Sequence, residues 1–243
     1  ESLVGVNGVI SNVIGVLSVT ELGFSTAIVY HLYRVLARKD EQAIAELMAL
    51  YRKVYAVIGS VIGVSGIVIF PFIHLFMREN PFSLVYVRTL YGLWLFRTVL
   101  TYFLNYRRSI LFADQQEYIV SIITLLINIC NHTLIIVIVM LTGDYLAAFV
   151  CNILIEIFFY TLQNRYVKKR YPFLEEFGRL YPDKTKIKSI FSDIKNIFVS
   201  KLSGMVLTST DNLIISGFLS VSVAGLYNNY ILIFNSVTNL VLS

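Results

Sequence analysis

Five ionisable residues stand inside long apolar runs of this 243-residue chain: Glu21, Arg97, Glu156, Lys201 and Asp211. A charged side chain among hydrocarbon is expensive, so such residues face a protein interior or a wet cavity, where they pair, relay protons or receive charged ligands. At about 1.5 Å per residue from the outer helix ends, Arg97 and Glu156 lie roughly 20 Å deep, and Glu21 and Lys201 roughly 25 Å. Depth therefore allows two ion pairs, Arg97 with Glu156 and Lys201 with Glu21. It equally allows a cavity lined by cations that receives an anionic substrate, and both readings stand. Trp94 and Thr101 share a helical face with Arg97, a polar-aromatic stripe suited to a wet surface. Arg88 lies nearer the outer end of the same segment, about 180° around a regular helix from Arg97, so the two cannot both point fully inward.

Further along, Lys201, Gly204, Thr208 and Asn212 recur at spacings of three and four, and Asn228, Asn229, Asn235 and Asn239 follow. Polar residues on membrane helices either tie helix to helix or line a water-accessible interior, and so many on adjacent segments favour the interior. Lys201 has a second reading, because a lysine near a helix end can snorkel to the interface. In TSTDNLIIS (208–216), Asp211 is read as a polar tie or as a protonatable group. The candidates for substrate binding are Arg97, Lys201, Arg88, Trp94 and Asn228; those for ion coupling or pairing are Asp211, Glu21 and Glu156.

Enzymatic chemistry finds no constellation. His31, His74 and His132 fall on three different segments, and His132, flanked by Asn128 and Asn131, reads as a buried, hydrogen-bonded histidine. There is no Gly-rich phosphate loop, no HExxH and no workable Ser/His/Asp order. Cys130 and Cys151 lie inside apolar segments, so neither a disulfide framework nor a metal site is expected. No cofactor is implied, and the expected activity is movement rather than reaction.

The elements that carry these residues follow from the apolar patterning. Hydrophobic residues make up 57% of the chain and charged residues 14%, against roughly a quarter charged in soluble domains, so the chain reads as an all-α polytopic membrane protein. Seven helical segments are expected near 4–35, 41–77, 82–105, 115–141, 145–170, 187–217 and 221–243. Asp40, Asn80-Pro81 and Gly143-Asp144 supply start signals for the second, third and fifth, and Pro71 should kink or end the second. Sixteen Lys and Arg residues cluster at the first, third and fifth junctions, against Arg78 alone at the others. The positive-inside rule makes the first group cytoplasmic and puts Glu1 outside. The hydrophilic block NRYVKKRYPFLEEFGRLYPDKTKIK (164–188) reads as a cytoplasmic linker beside anionic headgroups rather than a nucleic-acid site. The absence of an initiator Met and the apolar end at Ser243 suggest a piece of a longer protein.

TELGFSTAIVYHLYRVLARKDEQAIAELMALYRKVY (20–55), YRRSILFADQQEYIVSIITLL (106–126) and STDNLIISGFLSVSVAGLYNNYILI (209–233) resemble the Wzx-type polysaccharide flippases of the multidrug/oligosaccharidyl-lipid/polysaccharide (MATE-like) exporter superfamily. The resemblance implies a two-lobed helical bundle truncated at both ends: an N-terminal lobe over 1–164 without its first helix, a basic linker over 165–186, and the start of a second lobe over 187–243. It further implies a bacterial cytoplasmic membrane protein that flips undecaprenyl-pyrophosphate-linked oligosaccharide by alternating access, with surrounding lipid and a coupling cation or proton as its other partners. A cationic cavity suits a diphosphate, because arginine offers bidentate, charge-assisted bonds. The rival readings are a drug or cation exporter of the same superfamily and a membrane-embedded polysaccharide polymerase.

Overall fold

The computed structural model describes residues 2–21, 24–76, 82–177, 182–183, 187–200 and 234. It divides into two compact units, Glu1–Ile194 and Lys195–Ser243. The second is described only over 195–200, which is helical, and at Phe234. Lys201, Asp211, Asn228 and the other polar positions noted beyond residue 200 lie outside the described residues.

The described residues contain no strand. The helices of the first unit are α1 (Ser2–Leu17), α2 (Phe24–Ala37), α3 (Glu41–Ile69), α4 (Leu84–Leu104), α5 (Arg108–Ala113), α6 (Glu117–Thr142), α7 (Tyr145–Arg170) and α8 (Phe173–Glu176), with a helical stretch over 187–194. Among the described residues, three helical stretches are long and apolar enough to cross a membrane: Glu41–His74, Glu117–Thr142 and Tyr145–Arg170. This is the composition of a membrane protein. Along α6 the apolar side chains Ile122, Leu125, Ile129, Ile136 and Met140 are exposed, a surface that suits lipid rather than water.

Helix ends follow local chemistry. Asp40 caps α3 by accepting from the Ala43 amide at 3.0 Å, and Asp144 caps α7 by accepting from Leu146 and Ala147 at 2.9 and 3.3 Å. Gly143 ends α6 at φ 68°, the left-handed conformation that glycine adopts without a Cβ penalty. Pro71 acts as expected: the α-helix stops at Ile69 and a 3₁₀ turn runs over Phe70–Phe76. Three expectations need correction. The cap of α4 is Ser83, which accepts from the Tyr86 amide at 3.3 Å; residues 80–81 are outside the described set. A short helix, α5, occupies the third junction. The first segment is not one continuous helix, because a 3₁₀ turn over Ser18–Glu21 separates α1 from α2. At its start the Ser18 hydroxyl bonds the Ile14 carbonyl at 3.0 Å.

Antiparallel neighbours α3–α4 and α6–α7 form tight pairs, α2 packs on α3 and α5, and α4 also touches α1 and α7. Between membrane helices close packing must replace the hydrophobic drive, so small residues sit where backbones approach. Gly59 and Gly63 on α3 serve this purpose against α4. A Cβ at Gly59 would stand 3.0 Å from the Tyr102 Cβ, and one at Gly63 would stand 3.4 Å from a Val99 methyl. Farther along the seam, the Tyr91 hydroxyl donates to the Gly66 carbonyl at 3.0 Å. The pairing sets α3 and α4 in one rotational register, and that register turns Tyr55 and Tyr102 toward the same space.

Candidate functional site

A cavity of about 550 Å³ opens within the first unit, within the size range of small-molecule sites. Each wall has a helical periodicity behind it. On α3, Tyr51 and Tyr55 are four residues apart and share a face. On α4, Arg97, Thr101 and Asn105 repeat at the same spacing, with Tyr102 beside them; α7 contributes Glu156 and Tyr160 one turn apart. The 3₁₀ turn over Ser18–Glu21 brings in Glu21, and α5 brings in Arg108 and Phe112.

Arg97 meets Glu156, the first of the two pairs that depth allowed. Its Nε donates to both carboxylate oxygens at 3.0 and 2.9 Å, and its terminal NH2 group donates to Oε1 as well. The Glu156 side chain is 5% exposed and that of Arg97 32%. The guanidinium carbon lies 5.3 Å from the centre of the Trp94 ring and 5.9 Å from that of Phe149. Trp94 is held in turn, donating from Nε1 to Asn7 at 3.0 Å. Trp94 therefore supports the guanidinium from beneath, while Arg97 and Thr101 face the space.

Glu21 is placed differently. Tyr55 donates its hydroxyl to one oxygen, and Tyr102 donates to the other at 2.7 Å. The two rings lie 5.6 Å apart, so the carboxylate is gripped between α3 and α4 by neutral donors. Its suggested partner, Lys201, is outside the described residues. Two further bonds draw α7 to the end of α4: Gln163 donates to Asn105 at 3.2 Å, and Asn164 donates to the Leu104 carbonyl at 2.8 Å.

Arg88 does not line the cavity. It donates to the Pro71 carbonyl at 3.3 Å near the opposite end of α4, as its half-turn offset from Arg97 required. His132 is corrected outright: it is exposed on α6, and its neighbour Asn131 is the buried residue, donating to Glu156 Oε1 at 3.4 Å. One residue is about 100° of rotation, enough to exchange the two. His31 bonds Asp193 at 2.9 Å in a separate, smaller pocket, and His74 faces the Pro71 carbonyl.

Sequence reading missed Tyr51, Tyr55, Tyr102, Tyr160 and Arg108. The tyrosines carried a usable signal, because Tyr51/Tyr55 and Glu156/Tyr160 repeat at four residues inside apolar helices. Arg108 carried none, since it looks the same in sequence as Arg107. The structure separates them: Arg107 bonds and stacks on Tyr106, whereas Arg108 stacks on Phe112 at 4.9 Å in the cavity wall.

Beyond the membrane-spanning stretches, Tyr171 donates to Asp114 at 2.5 Å. Burial, and then the hydrogen bond and negative charge of Asp114, push its phenol above the ordinary value of 10.0. Lys168 holds Glu175 at 2.6 Å and draws its carboxyl below the usual range. The four charges of the cavity, two arginines and two glutamates, thus form one closed pair, one carboxylate clasped by tyrosines, and one guanidinium over a phenyl ring. Such a wall can select an ion or a charged headgroup. No protein-family model, curated protein or solved structure matches the chain.

Proposed function

We propose that this chain is part of a flippase that moves undecaprenyl-pyrophosphate-linked oligosaccharide across the bacterial cytoplasmic membrane by alternating access, for surface polysaccharide synthesis. The observation that carries the reading is a cavity lined by charged side chains, with the Arg108 guanidinium not ion-paired among the described residues, within a set of apolar, membrane-length helices. The stretches at 20–55, 106–126 and 209–233 that resemble Wzx-type flippases supply the substrate class. On this reading the basic junctions face the cytoplasm, residues 1–164 belong to the first lobe of a two-lobed bundle, 165–186 link the lobes, and 187–243 begin the second. Glu21, held among the described residues by neutral tyrosine donors, is then the described carboxylate best suited to carry a coupling proton, because Glu156 is already neutralised by Arg97.

The second reading, a drug or cation exporter of the same superfamily, draws on the same Glu21. A carboxylate flanked by two tyrosine rings is a setting that an organic cation would accept. Deleting the gene from its native strain separates the two. A flippase deletion leaves lipid-linked oligosaccharide on the cytoplasmic leaflet and strips the cell of that glycan. A deletion strain with normal surface glycan and raised drug sensitivity would refute the flippase and support the exporter.

A further inference from the structure

The cavity has more hydrogen-bond donors than acceptors once its internal bonds are assigned. Both oxygens of Glu156 are occupied by Arg97, with Asn131 adding a longer bond, and both oxygens of Glu21 are occupied by tyrosine hydroxyls. Thr98 and Thr101 spend their hydroxyls on carbonyls of their own helix, and Ser109 spends its hydroxyl on Tyr106. Tyr51 is hydrogen-bonded with Tyr55 and Ser25. Three lining groups are left over. Arg108 makes no ion pair among the described residues, and its Nε is buried without an acceptor. Asn105 accepts from Gln163 through Oδ1, which leaves its Nδ2 as the group still to be satisfied. The Tyr160 hydroxyl has no partner among the described residues and lies within electrostatic range of Arg97, Glu156 and Arg108.

A buried N–H without an acceptor costs free energy, and a planar guanidinium recovers that cost best from a bidentate oxyanion. The face of Arg108 is already fixed by the Phe112 ring, so its fork is held ready rather than free to roam. Arg97 is in the opposite condition: its Nε and one NH2 group are engaged by a carboxylate that has almost no exposure of its own. An incoming anion would meet only its remaining N–H groups, on a guanidinium whose charge Glu156 already offsets.

We propose that Arg108, assisted by the Asn105 amide and the Tyr160 hydroxyl, is the oxyanion receptor of the cavity, and that the Arg97–Glu156 pair is a tie holding α4 to α7 rather than a substrate contact. The ligand class is a phosphate or diphosphate, borne by a lipid or free; that choice rests on the flippase reading, whereas the receptor itself rests on the donor surplus. Glu21 shares the cavity, but its charge is spread over two O–H donors, which blunts its repulsion of an anion.

The test is equilibrium binding to the full-length protein by two probes: radiolabelled inorganic pyrophosphate in detergent, and a polyprenyl diphosphate carried at a few mole per cent in nanodiscs. Arg108→Gln should weaken binding tenfold or more. Arg108→Lys, which keeps the charge and loses the fork, should weaken it threefold or more with an unchanged gel-filtration profile, so the test survives a poorly folding glutamine variant. The double variant Arg97→Met Glu156→Met should stay within threefold of wild type. Binding through one probe alone supports the receptor and tells the lipid-borne source from the free one. Wild-type strength in Arg108→Lys, or a loss in the double variant as large as that in Arg108→Gln, overturns the assignment while leaving the flippase reading intact. A wild-type protein that binds neither probe overturns the receptor. Intact binding together with normal surface glycan in the deletion strain would instead sink the flippase reading alone.

Discussion

Breaking the Arg97–Glu156 pair from its two sides should cost unequal amounts, and the inequality can be worked out from the geometry. Arg97→Met strands Glu156, whose side chain is 5% exposed and retains only the 3.4 Å bond from Asn131. Removing one partner of a buried pair costs about 3–5 kcal/mol because the other charge is left uncompensated. The Asn131 bond and the nearby wet cavity place this case near the lower end, at about 3 kcal/mol. Glu156→Met strands Arg97, which is 32% exposed, faces the cavity and stays stacked on Trp94 and Phe149. Water and the two rings should hold that cost to about 1.5 kcal/mol. With both charges replaced by Met, nothing is stranded, and the double variant should lose no more than about 1.5 kcal/mol, a coupling of about 3 kcal/mol. Reversible unfolding in mixed micelles, by titration with a denaturing detergent, measures all four proteins. Equal costs for the two single variants, or a double variant as unstable as their sum, would refute the idea that the stranded carboxylate of Glu156 accounts for most of the loss.

The α3–α4 seam and the cap region of α7 give two more expectations. Gly59→Val places a branched side chain where even a Cβ stands 3.0 Å from the Tyr102 Cβ, so it should destabilise by about 1–3 kcal/mol; through Tyr102 it should also loosen the grip on Glu21, visible as faster hydrogen exchange at 18–21, and an unchanged stability would refute the close-approach reading. Tyr171 has a folded-state pKa above its ordinary 10.0, so its contribution is fully present below pH 10 and is lost as pH rises through the folded value. Tyr171→Phe should cost about 1–2 kcal/mol near pH 7 and flatten the decline in stability above pH 10; an unaltered alkaline limb in denaturation curves would count against it.

Much of the framework was legible because it depends on neighbours in the chain. Asp40 and Asp144 cap helices through amides two or three residues away, Pro71 lacks the amide that an α-helix needs, and membrane-length apolar stretches at 41–74, 117–142 and 145–170 announce themselves by length. The shared depth of Arg97 and Glu156 also came from counting residues along two helices, and rise per residue is a local constant. Rotation about each helix axis is not local. It is set by which surfaces interlock, as Gly59 and Gly63 do with Tyr102 and Val99. Tertiary packing therefore decided that Asn131 and not His132 turns inward, that Arg88 donates to the Pro71 carbonyl away from the cavity, and that Glu21, at the end of a 3₁₀ turn, falls between two tyrosines. It also decided which of two adjacent arginines faces the cavity. In the sequence Arg107 and Arg108 are equivalent basic residues at a junction; the start of α5 sends one to Tyr106 and the other over Phe112, because consecutive residues on a helix diverge by about 100° and only one direction leads inward.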